Sequence, residues 1–175
     1  LKIEEMAEQK RKFGKGNDAK RLSGLDQFDQ SILIALAEDG RMTITDLAER
    51  IGLSKSPTQA RLRRLETSGI IMGYRALLDP ISLGLDHVAF VEVRLTDTRE
   101  ATLRAFNTAV QNIPEIEQAH MIAGNFDYLL KVRTRDMAQY RSFLGDVVSM
   151  LPHVAATSTF VAMEAVKEVM LPGIE

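Results

Sequence analysis

Apolar residues in the first half of the chain recur at helical spacing. From Leu25 onward, Phe28, Ile32, Leu33, Leu36 and Ala37 fall three and four apart, and Asp26 stands where an N-cap belongs. Asp39 and Gly40 end this helix. The stretch from Thr43 to Asp46 starts a second one in the manner of a capping box, with Leu47, Ala48 and Ile51 on its inner face. Gly52 permits a left-handed turn, Ser54 is placed to cap a third helix running to about Ser68, and Gly69 stops it. Three short helices with a tight glycine turn before the last predict a helix-turn-helix over residues 25–69.

Residues 70–77 read as a strand closed by a turn at Asp79 and Pro80. Residues 70–86 are expected to be a hinge whose large apolar side chains pack against something. Beyond it the period alternates between two and 3.6. Strands are predicted over 87–95, 116–123, 126–134 and 154–166, and helices over 99–112 and 136–151. Their order, βαββαβ, is ferredoxin-like. The predicted class is therefore α+β, with the second domain spanning 87–175. Such a sheet carries helices on one face only. Its other face, with Val88, Phe90, Ile116, Leu129 and Phe160 as candidates, predicts a homodimer through the sheets.

Residues 1–24 lack hydrophobic periodicity and predict a flexible basic arm. Gly14, Gly16 and Ala19 formally fit G-x-G-x-x-A, but no strand precedes them, so a linker is the better reading than a dinucleotide site.

Composition narrows the function classes. Hydrophobic residues are 45% and charged residues 26%, an ordinary globular balance. With no cysteine there is no disulfide framework, thiolate zinc site or thiol nucleophile. His87, His120 and His153 lack ligand spacing, and no nucleophile elbow or P-loop occurs, so no cofactor and no catalysis are expected. Neither a spanning apolar run nor a secretory pattern is present, which makes a cytoplasmic protein the expectation. Net charge is only −2, but it is unevenly distributed. Residues 1–24 carry +3, residues 25–69 carry −1 and residues 85–175 carry −4.

The basic residues of the middle block crowd the third helix. Lys55, Arg61, Arg63 and Arg64 face only Glu66 there, a footprint suited to double-stranded DNA. Leu62 and Leu65, with Thr58, share the packed side, while Ser56, Ala60, Arg63, Arg64 and Thr67 lie opposite. The candidate DNA-binding set is Ser54, Lys55, Ser56, Thr58, Gln59, Ala60, Arg61, Arg63 and Arg64. Gln59 suits an adenine edge and Ala60 a thymine methyl, and the three arginines suit phosphates. In the second domain, Gly124, Asn125, Phe126 and Asp127 offer approachable backbone and one carboxylate, which suits a free amino acid. The same residues equally form an ordinary hairpin turn with an Asx bond, and on their own they favour it. A rival reading is an amino-acid-binding enzyme or regulatory subunit with no DNA role.

Two segments are specific enough to carry a resemblance: LDQFDQSILIALAEDGRMTITDLAERIGLSKSPTQARLRRLETSGII, and AGNFDYLLKVRTRDMAQYRSFLGDVVSMLPHV followed by TFVAMEAVKE. From about Leu25 to Val169 the chain resembles the leucine-responsive/asparagine-regulatory (Lrp/AsnC) family of transcriptional regulators. The resemblance implies a helix-turn-helix reading DNA over about 44–63, joined to a ferredoxin-like (RAM/ACT-like) effector domain. It also implies a dimer that assembles further to an octamer, with amino acids held between dimers. The effector residues it implies are Gly124, Asn125, Phe126, Asp127, Met137, Thr157, Thr159, Phe160 and Val161. Many family members read G-D-Y-D at the turn, whereas this chain reads Gly124-Asn125-Phe126-Asp127.

Overall fold

The computed structural model describes residues 24–168, and the predicted arm over 1–24 lies almost wholly outside them. The chain forms two compact units, dividing between Ala76 and Leu77.

The first unit contains α1 (Gln27–Glu38), α2 (Ile44–Ile51) and α3 (Lys55–Thr67). Asp26 caps α1 by accepting the Asp29 N–H, and the Asp29 side chain accepts the Asp26 N–H in return. Thr43 caps α2 through the Asp46 N–H at 3.2 Å. Gly52 adopts φ 72°, a conformation that lets the chain reverse into α3. Ser54 occupies the cap position of α3 but makes no side-chain cap bond. Ile32, Ala35, Leu47 and Leu65 form the core, flanked by Leu33, Leu36, Ile51 and Leu62. Phe28, at 38% exposure, lies outside it.

The strand expected over 70–77 is absent. The N–H groups of Ile70 and Ile71 both donate to Leu65 O at 3.1 Å, closing the C-terminus of α3, and Gly73 at φ 149° interrupts the extended run. No described residue pairs with this stretch as a strand. Instead Tyr74 donates its hydroxyl to Glu66 at 3.0 Å. Burial and that carboxylate push the Tyr74 hydroxyl up to about 12. The turn at Asp79 forms as expected, with Asp79 accepting the Ile81 and Ser82 N–H groups.

The second unit is a four-stranded antiparallel sheet in the order β2-β3-β1-β4. Its strands are β1 (His87–Leu95), β2 (Ile116–Met121), β3 (Tyr128–Thr134) and β4 (Val154–Val161). The crossovers are α4 (Glu100–Val110) and α5 (Met137–Asp146), the latter followed by a 3-10 turn over Val148–Met150. The helix expected to reach residue 151 breaks at the β-branched Val147, where φ is −115°. The last strand ends at Val161, five residues before its expected end.

Ala89, Val91, Val93 and Leu95 of β1 meet Leu130 and Val132 of β3 beneath Phe106, Tyr140 and Phe143 of the helices. The opposite face pairs Phe90 with Phe160 in register and is more charged than the pattern implied. Lys131 bonds Glu117 at 3.1 Å and also Glu168, while Arg133 bonds both carboxylates and the Leu85 carbonyl. One member of the predicted open face is corrected: Ile116 packs against the core, because a register shift between Ile116 and Gln118 turns it inward. Val88 does lie on the open face, paired with Arg133, but is only 6% exposed there. No helix among the described residues is long and apolar enough to cross a membrane.

Candidate nucleic-acid interface and effector turn

Helix α3 presents a continuous outward ridge. Thr58 and Leu65 are buried and Leu62 packs on the core, which sets the inner face. Ser56, Gln59, Ala60 and Arg63 are exposed at i, i+3, i+4 and i+7, so they line one strip of surface. Lys55 flanks its start and is also exposed. Lys55 and Arg63 are both exposed and form no ion pair among the described residues.

Two arginines are held differently from expectation. Arg61 donates to Asp26 at 2.6 Å and to Asp29 at 3.0 Å, and its guanidinium lies 5.3 Å from the centre of the Phe28 ring. It is thus turned toward α1, and the phosphate role expected of it is corrected. The Asp29 backbone N–H, with Arg61 beside it, holds the Asp26 carboxyl below its ordinary 3.8. Arg64 bonds the fully buried Asp29, yet its side chain keeps 55% exposure. Thr58 is corrected as well. It is fully buried and spends its hydroxyl on the Ser54 carbonyl at 2.9 Å, so it packs the helix and cannot touch a duplex.

Of the acidic pair at the start of α1, the sequence reading marks only Asp26, as an N-cap. Asp26 and Asp29 sit three apart at a helix start, a local signal that is legible. Their grip on Arg61 and Arg64, 32 and 35 residues away from Asp29, depends on how α1 crosses α3.

In the second unit the turn at residues 124–127 is fastened to the end of β1. The Asp127 N–H donates to Val93 O at 2.9 Å, its carboxylate accepts the Leu95 N–H at 2.7 Å, and Arg94 donates to Asn125 O at 2.8 Å. Phe126 is half-buried and Asn125 exposed. Gly124 has no positive φ, and a Cβ there would meet only Ile122 Cγ2 at 3.5 Å, so the fold itself does not require glycine.

The remaining candidates are spread along the sheet. Thr157 and Thr159 pair in register with Val93 and Val91 on the helix-covered side, and Thr159 meets the Tyr140 hydroxyl at 2.6 Å. Val161 pairs with Ala89 on that same side. Phe160 alternates to the opposite face beside Phe90, so it does not join them. Met137 is 55% exposed at the start of α5, just beyond the end of β3. The turn precedes β3 and Met137 follows it, so the seven residues of that strand hold them roughly 20 Å apart within one chain. Tyr140 did not stand out from the sequence as a polar contributor, because its spacing marks it only as core.

Comparison with known proteins agrees with this geometry. Residues 25–72 match the family model described as winged helix-turn-helix DNA-binding, and residues 88–172 match the Lrp/AsnC ligand binding domain. A proline dehydrogenase transcriptional activator of Rhizobium radiobacter is 60% identical, covering 82% of this chain and 92% of that protein. The leucine-responsive regulatory protein of Escherichia coli K12 is 45% identical over 86% of this chain and 93% of its own length. Among solved structures, a transcriptional regulator from Neisseria meningitidis in complex with L-Met superposes with a TM-score of 0.79 at 34% identity. That match covers 85% of this chain and 96% of the other.

Proposed function

The chain belongs to the Lrp/AsnC family of transcriptional regulators, and from that membership we propose that the ridge Ser56, Gln59, Ala60 and Arg63 reads the major groove of its operator. The carrying observation is that ridge, exposed along a helix whose other side is sealed by Thr58, Leu62 and Leu65. Ser56 and Gln59 occupy the first turns, the part of a recognition helix that reaches base edges, and Lys55 and Arg63 position it on phosphates. Two copies set their helices about 34 Å apart, in successive major grooves of a pseudo-palindromic site.

The second unit is the ligand domain, and its effector is a small amino acid. Proline is the first candidate, because a relative at 60% identity is named an activator of proline dehydrogenase transcription. Methionine and leucine follow from the other two names. The strand length separating the turn at 124–127 from Met137 supports a site assembled between copies of the chain, as expected for a dimer that builds to an octamer. Such a ligand alters DNA binding only through unequal affinity for two assembly states. The protein acts where the chromosome is, in the cytoplasm.

The test is selection of duplexes from a random pool with the full chain, followed by titration of a selected site with and without each of the three amino acids. A selected site with two half-sites one helical turn apart, bound differently when one amino acid is present, is expected. Equal binding to selected and random duplexes would refute the reading.

A further inference from the structure

We propose that Asp29 is a positioning residue for DNA recognition, holding Arg64 so that the outer edge of its guanidinium meets the DNA backbone beside the reading ridge. The inference rests on the DNA-binding reading above and deepens it.

Asp29 is fully buried, and a buried carboxylate persists only when fully paired. Its partners are the Asp26 N–H at 3.2 Å, Arg61 at 3.0 Å and Arg64. Arg61 points inward and is largely covered. Arg64 is different: one nitrogen of its fork is committed to Asp29, while its side chain remains 55% exposed. A guanidinium has five N–H donors in a rigid plane, so fixing one nitrogen fixes where the others point.

Position on the helix decides what they meet. Arg64 follows Ala60 by four residues, and at 100° per residue it flanks the ridge on the α1 side. Asp26, Pro57, Ala60, Arg61 and Arg64 line a shallow depression there. The cluster of Asp26, Asp29, Arg61 and Arg64 is neutral as a whole, so it adds no general attraction for polyanions. What it supplies is a donor in one place, ordered before DNA arrives, which favours one register of the helix over others. Loss of the Asp29 charge would free Arg64 and add net positive charge. Affinity for the selected site should fall, and affinity for random duplex should hold or rise.

The experiment measures the ratio of affinities for a selected site and a random duplex, at fixed salt, for the full chain and its Asp29→Asn, Arg64→Ala and doubly substituted forms. Circular dichroism confirms folding. We expect the ratio to fall about tenfold in each single variant and no further in the double variant. An unchanged ratio for Asp29→Asn, an equal loss on both duplexes, or additive losses would each overturn the proposal. If Asp29→Asn does not fold, Arg64→Lys on the exposed side decides it. A single ammonium cannot bridge carboxylate and phosphate as the planar fork does, so its ratio should match that of Arg64→Ala, and a wild-type ratio would overturn the proposal. Failure of the unsubstituted chain to prefer any duplex would instead refute the DNA reading itself.

Discussion

The carboxylate of Asp127 accepts the backbone N–H of Leu95 at 2.7 Å, so a residue expected to face a ligand also fastens the turn before β3 to the end of β1. Replacing it with alanine leaves that N–H unpaired in a partly buried position. Hydrogen bonds to charged groups contribute about 1.5–3 kcal/mol, and Asp127→Ala should lower unfolding stability by about that much in a urea titration. Asp127→Asn keeps an acceptor and should lose less. An amino-acid response lost in the asparagine variant therefore reports on the ligand and not on the turn.

Arg63 and Arg61 should respond oppositely to the same truncation. Arg63 faces outward and forms no ion pair among the described residues, and each phosphate contact contributes about 0.9 to the slope of log K against log salt. Arg63→Ala should lower that slope by about this amount for each helix engaged. Arg61→Ala removes a contact to Asp26 and Asp29, so it should lower the melting temperature of the first unit and leave the slope in place.

The contrast between those arginines shows what the sequence carried and what it did not. Gly52, the Asp26 cap and the bounds of β1 were legible because each depends on a few neighbouring residues. The same pattern could not say that Arg61 turns inward while Arg63 does not, since their fates depend on acidic residues a full helix away. Residues 70–77 have strand composition, but a strand also needs a partner, and here Ile70 and Ile71 spend their N–H groups on the end of α3. Ile116 was misplaced by one register shift in β2, which reverses every side chain before it. The effector candidates in β4 were carried by family resemblance, although strand alternation already puts Phe160 on the open face and away from Thr159, as the register bears out.

Acidification should loosen the charged face of the sheet. Burial pushes the Glu117 carboxyl up, but Arg133 and Lys131 outweigh it and hold it below its ordinary 4.5. Lys131, followed by Arg133, holds Glu168 below the same value. A carboxyl whose folded value lies below its unfolded one stabilises the fold fully above the unfolded value, and that stability is lost as pH falls through the folded value. The melting temperature of the second unit should therefore be flat near neutrality and drop once pH passes below 4.5. Glu117→Gln should lower the neutral plateau and shallow the drop, which a pH series of thermal scans reads directly.

Gly52 holds φ 72° in the turn between α2 and α3, and a Cβ there would meet no atom within 4 Å. Any penalty for Gly52→Ala is therefore conformational and not steric crowding by neighbours. Holding a residue with a side chain in the left-handed region costs about 1–3 kcal/mol, and Gly52→Asn should cost less than Gly52→Ala, because asparagine tolerates that region better. Thermal unfolding of the two variants should rank them in that order, with DNA affinity following stability.

Gly124 offers the opposite case, and with it a test of the effector turn. Its backbone needs no positive φ, and an added Cβ would make only ordinary contact with Ile122 at 3.5 Å. Gly124→Ala should therefore leave the fold as stable as before, or more so by about 0.4–1 kcal/mol through a less free unfolded chain. If the glycine is there so that an amino acid can approach the backbone, the same methyl group will obstruct it. An effector at about 100 times its dissociation constant stabilises the unsubstituted chain by about 2.7 kcal/mol, a clear thermal shift. The expected outcome for Gly124→Ala is an unchanged or higher melting temperature without ligand and a shift that shrinks or vanishes with it. A variant that melts higher and still responds in full to proline, methionine or leucine would reduce residues 124–127 to a plain connection between β2 and β3.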